Sequence, residues 1–442
     1  MFKRKIYSQL LDWKNSDSGK TALFIEGARR IGKSTIVEEF AKNEYESYIL
    51  IDFAFASDEL HDLFKNINDL DYFFLQLQLF YGVKLEERKS LIIFDEVQFN
   101  PLARQSIKKL VADRRYDYIE TGSLISINKN IKDILIPSEE RKIDMYPMDF
   151  EEFLWATDDN STIELLRGVY DNKKALGENI NREILRKFRL YLLVGGMPQA
   201  IIEYLESNNM EQVDQVKRNI IDLYEKDFYK IDSKGKISAI YDAIPSELNK
   251  HAKSYQISSV LPNDRRNSVM DELTELIASK TVLPSYNVQD PNVGLSSTYN
   301  KENFRLYCSD TGLLVTLMFK DKSFTENIIY KKLLSDKLSA NLGIVYENVV
   351  AQMLSAKGHT LYYHTYYDDK QKRNFEIDFF ISDGSKIAPI EVKSSNYRAH
   401  TSLDKFSEKY KKRVSQKIVL HTKDLKVDGD TLYLPVYMSM FL

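Results

Sequence analysis

The chain has 442 residues, too many for one ordinary domain, so two to four domains are expected. Its 43% hydrophobic and 29% charged content is that of a globular protein, and a net charge of −3 excludes a globally basic nucleic-acid coat while permitting local basic patches. A single cysteine, Cys308, excludes a disulfide framework and a thiolate zinc site, and the six histidines show no metal-ligand spacing.

Residues 1–20 read as a helix from Ile6 to Trp13 closed by the polar turn Asn15-Ser16-Asp17-Ser18-Gly19. The segment Met1 to Lys14 is charged and lacks an apolar signal core, and no stretch is long enough to span a bilayer. A cytoplasmic protein without a membrane partner is therefore expected. Arg4 and this first helix are candidates for a place near a bound adenine.

Next comes Gly27-Ala28-Arg29-Arg30-Ile31-Gly32-Lys33-Ser34, followed by Thr35. It fits the P-loop pattern, with the apolar run Ala22-Leu23-Phe24-Ile25 in front as a strand and Ile36-Val37-Glu38-Glu39-Phe40 behind as a helix. Backbone N–H groups of such a loop, aided by the helix N-terminus, cradle phosphates. Lys33 is expected to reach the β- and γ-phosphates of ATP, and the Ser34 hydroxyl to bind Mg²⁺.

Tyr48-Ile49-Leu50-Ile51-Asp52-Phe53 is a second strand, and residues 57–82 have the periodicity of helix. Leu91-Ile92-Ile93-Phe94-Asp95-Glu96 then places two carboxylates at the end of an apolar strand, a Walker B element. Asp95 is the expected Mg²⁺ residue and Glu96 the general base toward the attacking water. After a helix over Lys108–Arg115, Tyr116 to Ser123 reads as a strand whose polar end offers Thr121 and Ser123 as contacts for the γ-phosphate or the lytic water. A fifth strand is predicted at Lys142–Pro147. Strands alternating with helices imply a parallel sheet covered on both faces, with the ligand at its carboxyl edge. Arg30, Arg104, Arg114, Arg115 and Arg141 are available to meet transition-state charge, one of them as an arginine finger toward a neighbouring subunit.

Residues 151–235 are helix-rich and interrupted at Gly195-Gly196-Met197-Pro198, as expected of a helical lid on a core spanning 1–150. Residues 236–325 read as a winged-helix-like module, with helices at Ile237–Ala243, Ile257–Leu261 and Ser268–Ser279 and strands at Thr281–Leu283 and Phe304–Tyr307. Arg265 and Arg266 precede the third helix as candidates for DNA phosphates, and a purely structural or protein-docking winged helix fits the pattern equally. Residues 326–442 carry Asn374-Phe375-Glu376-Ile377-Asp378-Phe379-Phe380 and then Ile390-Glu391-Val392-Lys393, the spacing of a PD-(D/E)xK nuclease. In that reading Asp378, Glu391 and Glu347 bind Mg²⁺, and Lys393 orients water and offsets phosphorane charge. A fold that keeps these residues without cleaving remains the other reading. Lys405, Lys409, Lys411, Lys412 and Arg413 supply a basic patch or a solvated helix face.

With these motifs assembled, the chain resembles a family of bacterial and archaeal P-loop ATPases of the AAA type whose C-terminal region ends in a winged helix and a restriction-endonuclease-like domain. The resemblance runs nearly end to end. It rests on Leu23 to Thr35, Phe94-Asp95-Glu96, Thr121-Gly122-Ser123, Tyr146-Pro147-Met148-Asp149-Phe150, Gly195-Gly196-Met197-Pro198, Tyr346-Glu347-Asn348 and Glu391-Val392-Lys393-Ser394. Where the family carries Gly-Arg before the fifth strand, this chain has Glu140-Arg141. The resemblance implies an α/β P-loop NTPase followed by a helical lid, a winged helix and a restriction-endonuclease-like α/β domain. ATP and Mg²⁺ are the expected ligands, and a homo-oligomer acting on branched or duplex DNA the expected setting. The alternative is a nucleotide switch or remodeller serving a protein partner, with an inactive nuclease-like end.

Overall fold

A computed structural model describes residues 1–122, 138–250, 252, 254–262, 264, 269–335, 342–368, 372–395 and 397–442. Ser123, Arg265 and Arg266 lie outside the described residues. The chain forms two compact units, Met1–Tyr146 with Thr274–Lys280, and Pro147–Leu273 with Thr281–Leu442.

In the first unit, strands β1 (Ala22–Glu26), β2 (Ser47–Asp52), β3 (Ser90–Asp95), β4 (Asp117–Gly122) and β5 (Glu140–Asp144) form a sheet of order β2-β3-β4-β1-β5. Every pairing is parallel. β1, β3 and β4 are buried along their whole length, which is why β1 and β3 read as apolar runs rather than alternating ones, while β4 buries polar residues as well. β5 starts at Glu140, opposite Ala22, and ends at Asp144; it begins and ends earlier than the predicted Lys142–Pro147 because its ladder to β1 sets its limits. Helices Ile6–Asp17, Lys33–Glu44, Asp58–Leu63, Leu70–Tyr81 and Pro101–Asp113 connect or flank the strands. Phe53, Phe64, Phe73, Phe74, Phe94 and Tyr118 form an aromatic core, edge-to-face for the most part, as at Phe53–Phe94 with centroids 5.7 Å apart.

The order matters for function. β4 lies between β1 and β3, and the register pairs Ile25 with Thr121, Glu26 with Gly122 and Phe94 with Glu120. The carboxyl ends of three strands are thereby brought level at one edge of the sheet.

The second unit begins with helices Phe150–Ala156, Thr162–Asn172, Glu178–Val194, Pro198–Ser207 and Met210–Ile231. Asp149 caps the first of these in a reciprocal capping box with Glu152. Further helices at Lys236–Asp242, Ile244–Asn249 and Ile257–Val260 precede β6 (Val282–Val288) and β7 (Tyr299–Cys308). β6 and β7 pair as an antiparallel hairpin. β6 uses its second edge to pair in parallel with β8 (Leu361–Asp368), which pairs with β9 (Arg373–Ile377), giving a sheet of order β7-β6-β8-β9. Strands from residues 236–325 and 326–442 therefore pair in one sheet, the second edge of β6 being satisfied by Leu361–Tyr363. β10 (Phe379–Asp383), β11 (Lys386–Val392), β12 (Lys417–His421), β13 (Lys426–Asp428) and β14 (Thr431–Pro435) form another sheet, of order β10-β11-β12-β14-β13.

Candidate functional site

The loop between β1 and the helix Lys33–Glu44 is shaped by close backbone approach. A Cβ at Gly27 would come within 2.4 Å of the Met145 carbonyl oxygen, and Gly32 has φ +93° at the helix N-cap. Arg4 is buried and donates from Nη1 to the Ile31 carbonyl at 2.8 Å and from Nη2 to the Tyr146 carbonyl at 2.7 Å. It thus fixes the loop backbone to the segment after β5. Ala28 and Ile31 are buried, while Arg29 is half-buried and Arg30 and Thr35 are exposed.

Lys33 is 5% exposed and donates to the carbonyls of Gly27 and Ala28, each at 2.9 Å. Among the described residues it has no carboxylate within ion-pair distance. Burial pushes its ammonium pKa down, against the opposing pull of Glu96 and Asp95. A buried cation satisfied only by carbonyl dipoles is a receptor for an anion. Ser34 Oγ donates to Asp95 Oδ1 at 2.8 Å, and Thr121 Oγ1 donates to the same oxygen. Burial raises the Asp95 pKa, with both hydroxyls working against the shift. A hydroxyl and a carboxylate side by side at a phosphate loop are the oxygen donors that Mg²⁺ takes in such sites. Glu96 adopts φ +52°, so the chain turns sharply after Asp95; its N–H donates to Thr121 Oγ1 at 3.3 Å. Gln98, absent from the sequence reading, donates from Nε2 to Glu96 Oε2.

The arginines sort differently from the sequence expectation. Arg104 is an internal residue, 2% exposed, paired with Glu140 at 2.9 Å and stacked over Phe24 at 4.4 Å. Arg115 is held by Asp113 and Asp71, and the Arg114 carbonyl accepts from Arg88. Arg141 pairs with Leu23, three residues before the carboxyl end of β1, and its guanidinium binds Asp17 at 2.7 Å. It therefore stands away from the Lys33–Asp95 edge of its own sheet, about 10 Å along the strand.

The second constellation also assembles, within the second unit. Asp378 sits between β9 and β10 and accepts the Val392 N–H at 2.7 Å, which ties it to the strand carrying Glu391. Lys393 Nζ lies 2.6 Å from Glu391 Oε1, while Glu391 Oε2 has no hydrogen-bond partner. Burial, then Glu347, Glu376 and Glu391, push the Asp378 pKa well up. Glu347 is pushed up to about 7 by burial and Glu376, with Arg305 opposing. For Lys393, burial is outweighed by Glu391, Asp378 and Glu347, and the pKa rises. β7 contributes two groups that the sequence reading left out. Arg305 contacts Glu376 at 2.5 Å and stacks on Tyr363, and the fully buried Tyr307 hydroxyl has no hydrogen-bond partner. Asn348 locks the neighbouring helix to β7 through the Cys308 N–H at 2.8 Å and carbonyl at 3.1 Å. Among the described residues no group of three His, Cys, Asp or Glu side chains is arranged to hold a metal ion. No helix among the described residues is long and apolar enough to cross a membrane.

Comparison with known proteins matches three successive segments of the chain. Residues 19–154 match the family model of an AAA domain, residues 185–323 a domain of unknown function (DUF8612), and residues 342–438 another domain of unknown function (DUF4143). An uncharacterized protein of Methanocaldococcus jannaschii is 26% identical over 239 residues, 52% of this chain and 47% of that one. One from Haemophilus influenzae is 26% identical over 184 residues, 40% of this chain and 43% of that one. The matches thus span less than half the length of these curated relatives. Among solved structures, the Walker-type ATPase of Pyrococcus abyssi superposes with a TM-score of 0.44 at 15% identity, over 72% of this chain and 96% of that one. The chain carries an N-terminal AAA domain of the P-loop NTPase fold, followed by two domains of unknown function.

Proposed function

We propose that the chain is a Mg²⁺-dependent ATPase of the AAA type, oligomeric in its working form, whose C-terminal half acts on nucleic acid. The observation that carries the ATPase reading is the Lys33 ammonium, buried on loop carbonyls without a carboxylate, next to the Ser34–Asp95 pair. The backbone of Gly27 to Thr35 cradles the phosphates and Lys33 takes the β- and γ-phosphate charge. Ser34 and Asp95 would hold Mg²⁺, which neutralises charge on the transferring phosphoryl group. Glu96 accepts the proton of the attacking water, and Thr121 orients the carboxyl end of β3. Lys33→Ala abolishes tight ATP binding. Glu96→Gln keeps binding and stops turnover, and unchanged hydrolysis in that variant would remove Glu96 from the mechanism.

For the C-terminal half, the convergence of Glu347, Asp378, Glu391 and Lys393 supports phosphodiester cleavage with Mg²⁺, and Asp378→Ala then eliminates it. A second reading, a switch for a protein partner without cleavage, is favoured by the Glu391–Lys393 ion pair and by the lack of a ready ligand shell. The deciding experiment measures ATP hydrolysis with and without branched, duplex and single-stranded DNA, with particle size followed alongside and DNA binding repeated at rising salt. Stimulation with assembly, and affinity falling steeply on a log–log salt plot, supports the nucleic-acid reading. No response to any DNA moves the assignment to the protein partner.

A further inference from the structure

We infer that Gln98 is a positioning residue for hydrolysis, holding the Glu96 carboxylate in place from the turn that follows β3; the inference rests on the ATPase reading above. Gln98 lies two residues beyond Glu96, in the short turn Val97–Phe99, and is 4% exposed. Its Nε2 donates to Glu96 Oε2, leaving Oε1 as the oxygen available to a water. Asp95 and Glu96 are adjacent in sequence, yet the φ of +52° at Glu96 separates their paths: Asp95 turns to Ser34 and Thr121, Glu96 to Gln98. A left-handed residue that is not glycine is strained, and a partner that fixes its side chain gives the strain a use.

The other end of the Gln98 amide explains a glycine. A Cβ placed at Gly122 would stand 2.7 Å from Gln98 Oε1, 3.6 Å from Val97 Cγ1 and 3.5 Å from Phe24. Gly122 shows no positive φ, so backbone conformation alone does not call for glycine there. What it provides is room for the amide between the end of β4 and Glu96. Thr121, one residue earlier, accepts the Glu96 N–H. The last two residues of β4 thus govern both ends of Glu96, its backbone through Thr121 and its carboxylate through Gln98. A shift of about 1 Å in a general base costs on the order of 100-fold in rate.

The test uses the full chain, MgATP, phosphate release and fluorescent-nucleotide binding. Gln98→Ala should lower kcat about 10- to 100-fold with KM and nucleotide affinity unchanged. Gly122→Ala, whose methyl displaces the Gln98 amide, should lower kcat similarly in the parent and have no further effect when Gln98 is already Ala. The Glu96→Gln/Gln98→Ala double variant should be no slower than Glu96→Gln alone, because Gln98 acts through Glu96. Parent-like turnover in Gln98→Ala, an affinity loss that parallels the rate, or additive slowing in either double variant overturns the assignment. Parent-like turnover in Glu96→Gln overturns instead the general-base reading on which it stands. Thermal midpoints of each variant separate loss of fold from loss of rate.

Discussion

Arg104 was eligible as an arginine finger from sequence, and its surroundings make it a core residue with a measurable signature. Its Nη2 lies 2.9 Å and 3.3 Å from the two oxygens of Glu140, and the two side chains are 2% and 1% exposed. Its guanidinium carbon stands 4.4 Å from the centre of the Phe24 ring, while Nε and Nη1 have no hydrogen-bond partner. Removing one member of such a buried pair leaves the other charge uncompensated and costs about 3–5 kcal/mol. The cation–π contact lies within that figure, since the same truncation removes both. For a unit of this size the loss lowers the midpoint of unfolding by on the order of 10 °C. Arg104→Ala is therefore expected to shift urea and thermal unfolding of the nucleotide unit. Turnover per folded molecule, assayed well below the midpoint, should stay within a few-fold of the parent. Arg104→Met combined with Glu140→Gln should recover much of the loss, because no charge is stranded. A finger behaves in the opposite way: parent stability with hydrolysis down by about 10³ or more. That result would refute the structural assignment.

Two further outcomes follow from buried charge. Glu120 is fully buried with neither oxygen hydrogen-bonded, and burial, then Glu140, push its carboxyl pKa well above the usual range. A raised carboxyl contributes stability that is fully present below its unfolded pKa and is lost as pH rises through the folded value. Glu120→Gln should therefore gain on the parent in urea as pH rises from 5 to 8, and a margin independent of pH would sink this reasoning. In the second unit, Lys217 is fully buried, donates to the Leu193 carbonyl at 2.7 Å, and is lowered by burial from 10.5 to about 8. A depressed folded pKa means stability present above 10.5 and lost as pH falls through 8, a span worth about 3 kcal/mol. Lys217→Met should abolish the rise in stability between pH 8 and 10.5, so an equal slope in parent and variant would contradict the burial of a charged lysine.

What was legible from sequence was local. Glycine spacing, a strand ending in Asp95-Glu96 and a polar end at Thr121 place chemistry through backbone geometry within a few residues, and the sheet merely aligns them. Arg104 escaped because its partner lies 36 residues on, in a strand whose register to β1 decides the pairing. The β6–β8 ladder escaped for the same reason: Ser285 meets Leu361 across a separation no local periodicity encodes, and a hairpin with one open edge looks like a wing until the partner is known. Gln98 sits in a three-residue turn with neither helical nor strand period, so only its hydrogen bond distinguishes it.

The two centres employ lysine and carboxylates in opposite balance, and that decides what each can accept. At the P-loop the ammonium of Lys33 is held apart from Asp95 and Glu96 by hydrogen bonds to carbonyls, and burial drives its pKa down. The field there is relieved by adding negative charge, with a cation shared between Ser34 and Asp95 to balance it. In the C-terminal centre the Lys393 ammonium is paired with Glu391, while burial drives Asp378 and Glu347 up, with Glu347, Glu376 and Glu391 adding to the first and Glu376 to the second. Added negative charge would aggravate that field. The P-loop thus presents a buried ammonium held by carbonyls, whereas the C-terminal centre presents buried carboxylates whose one nearby ammonium is already paired.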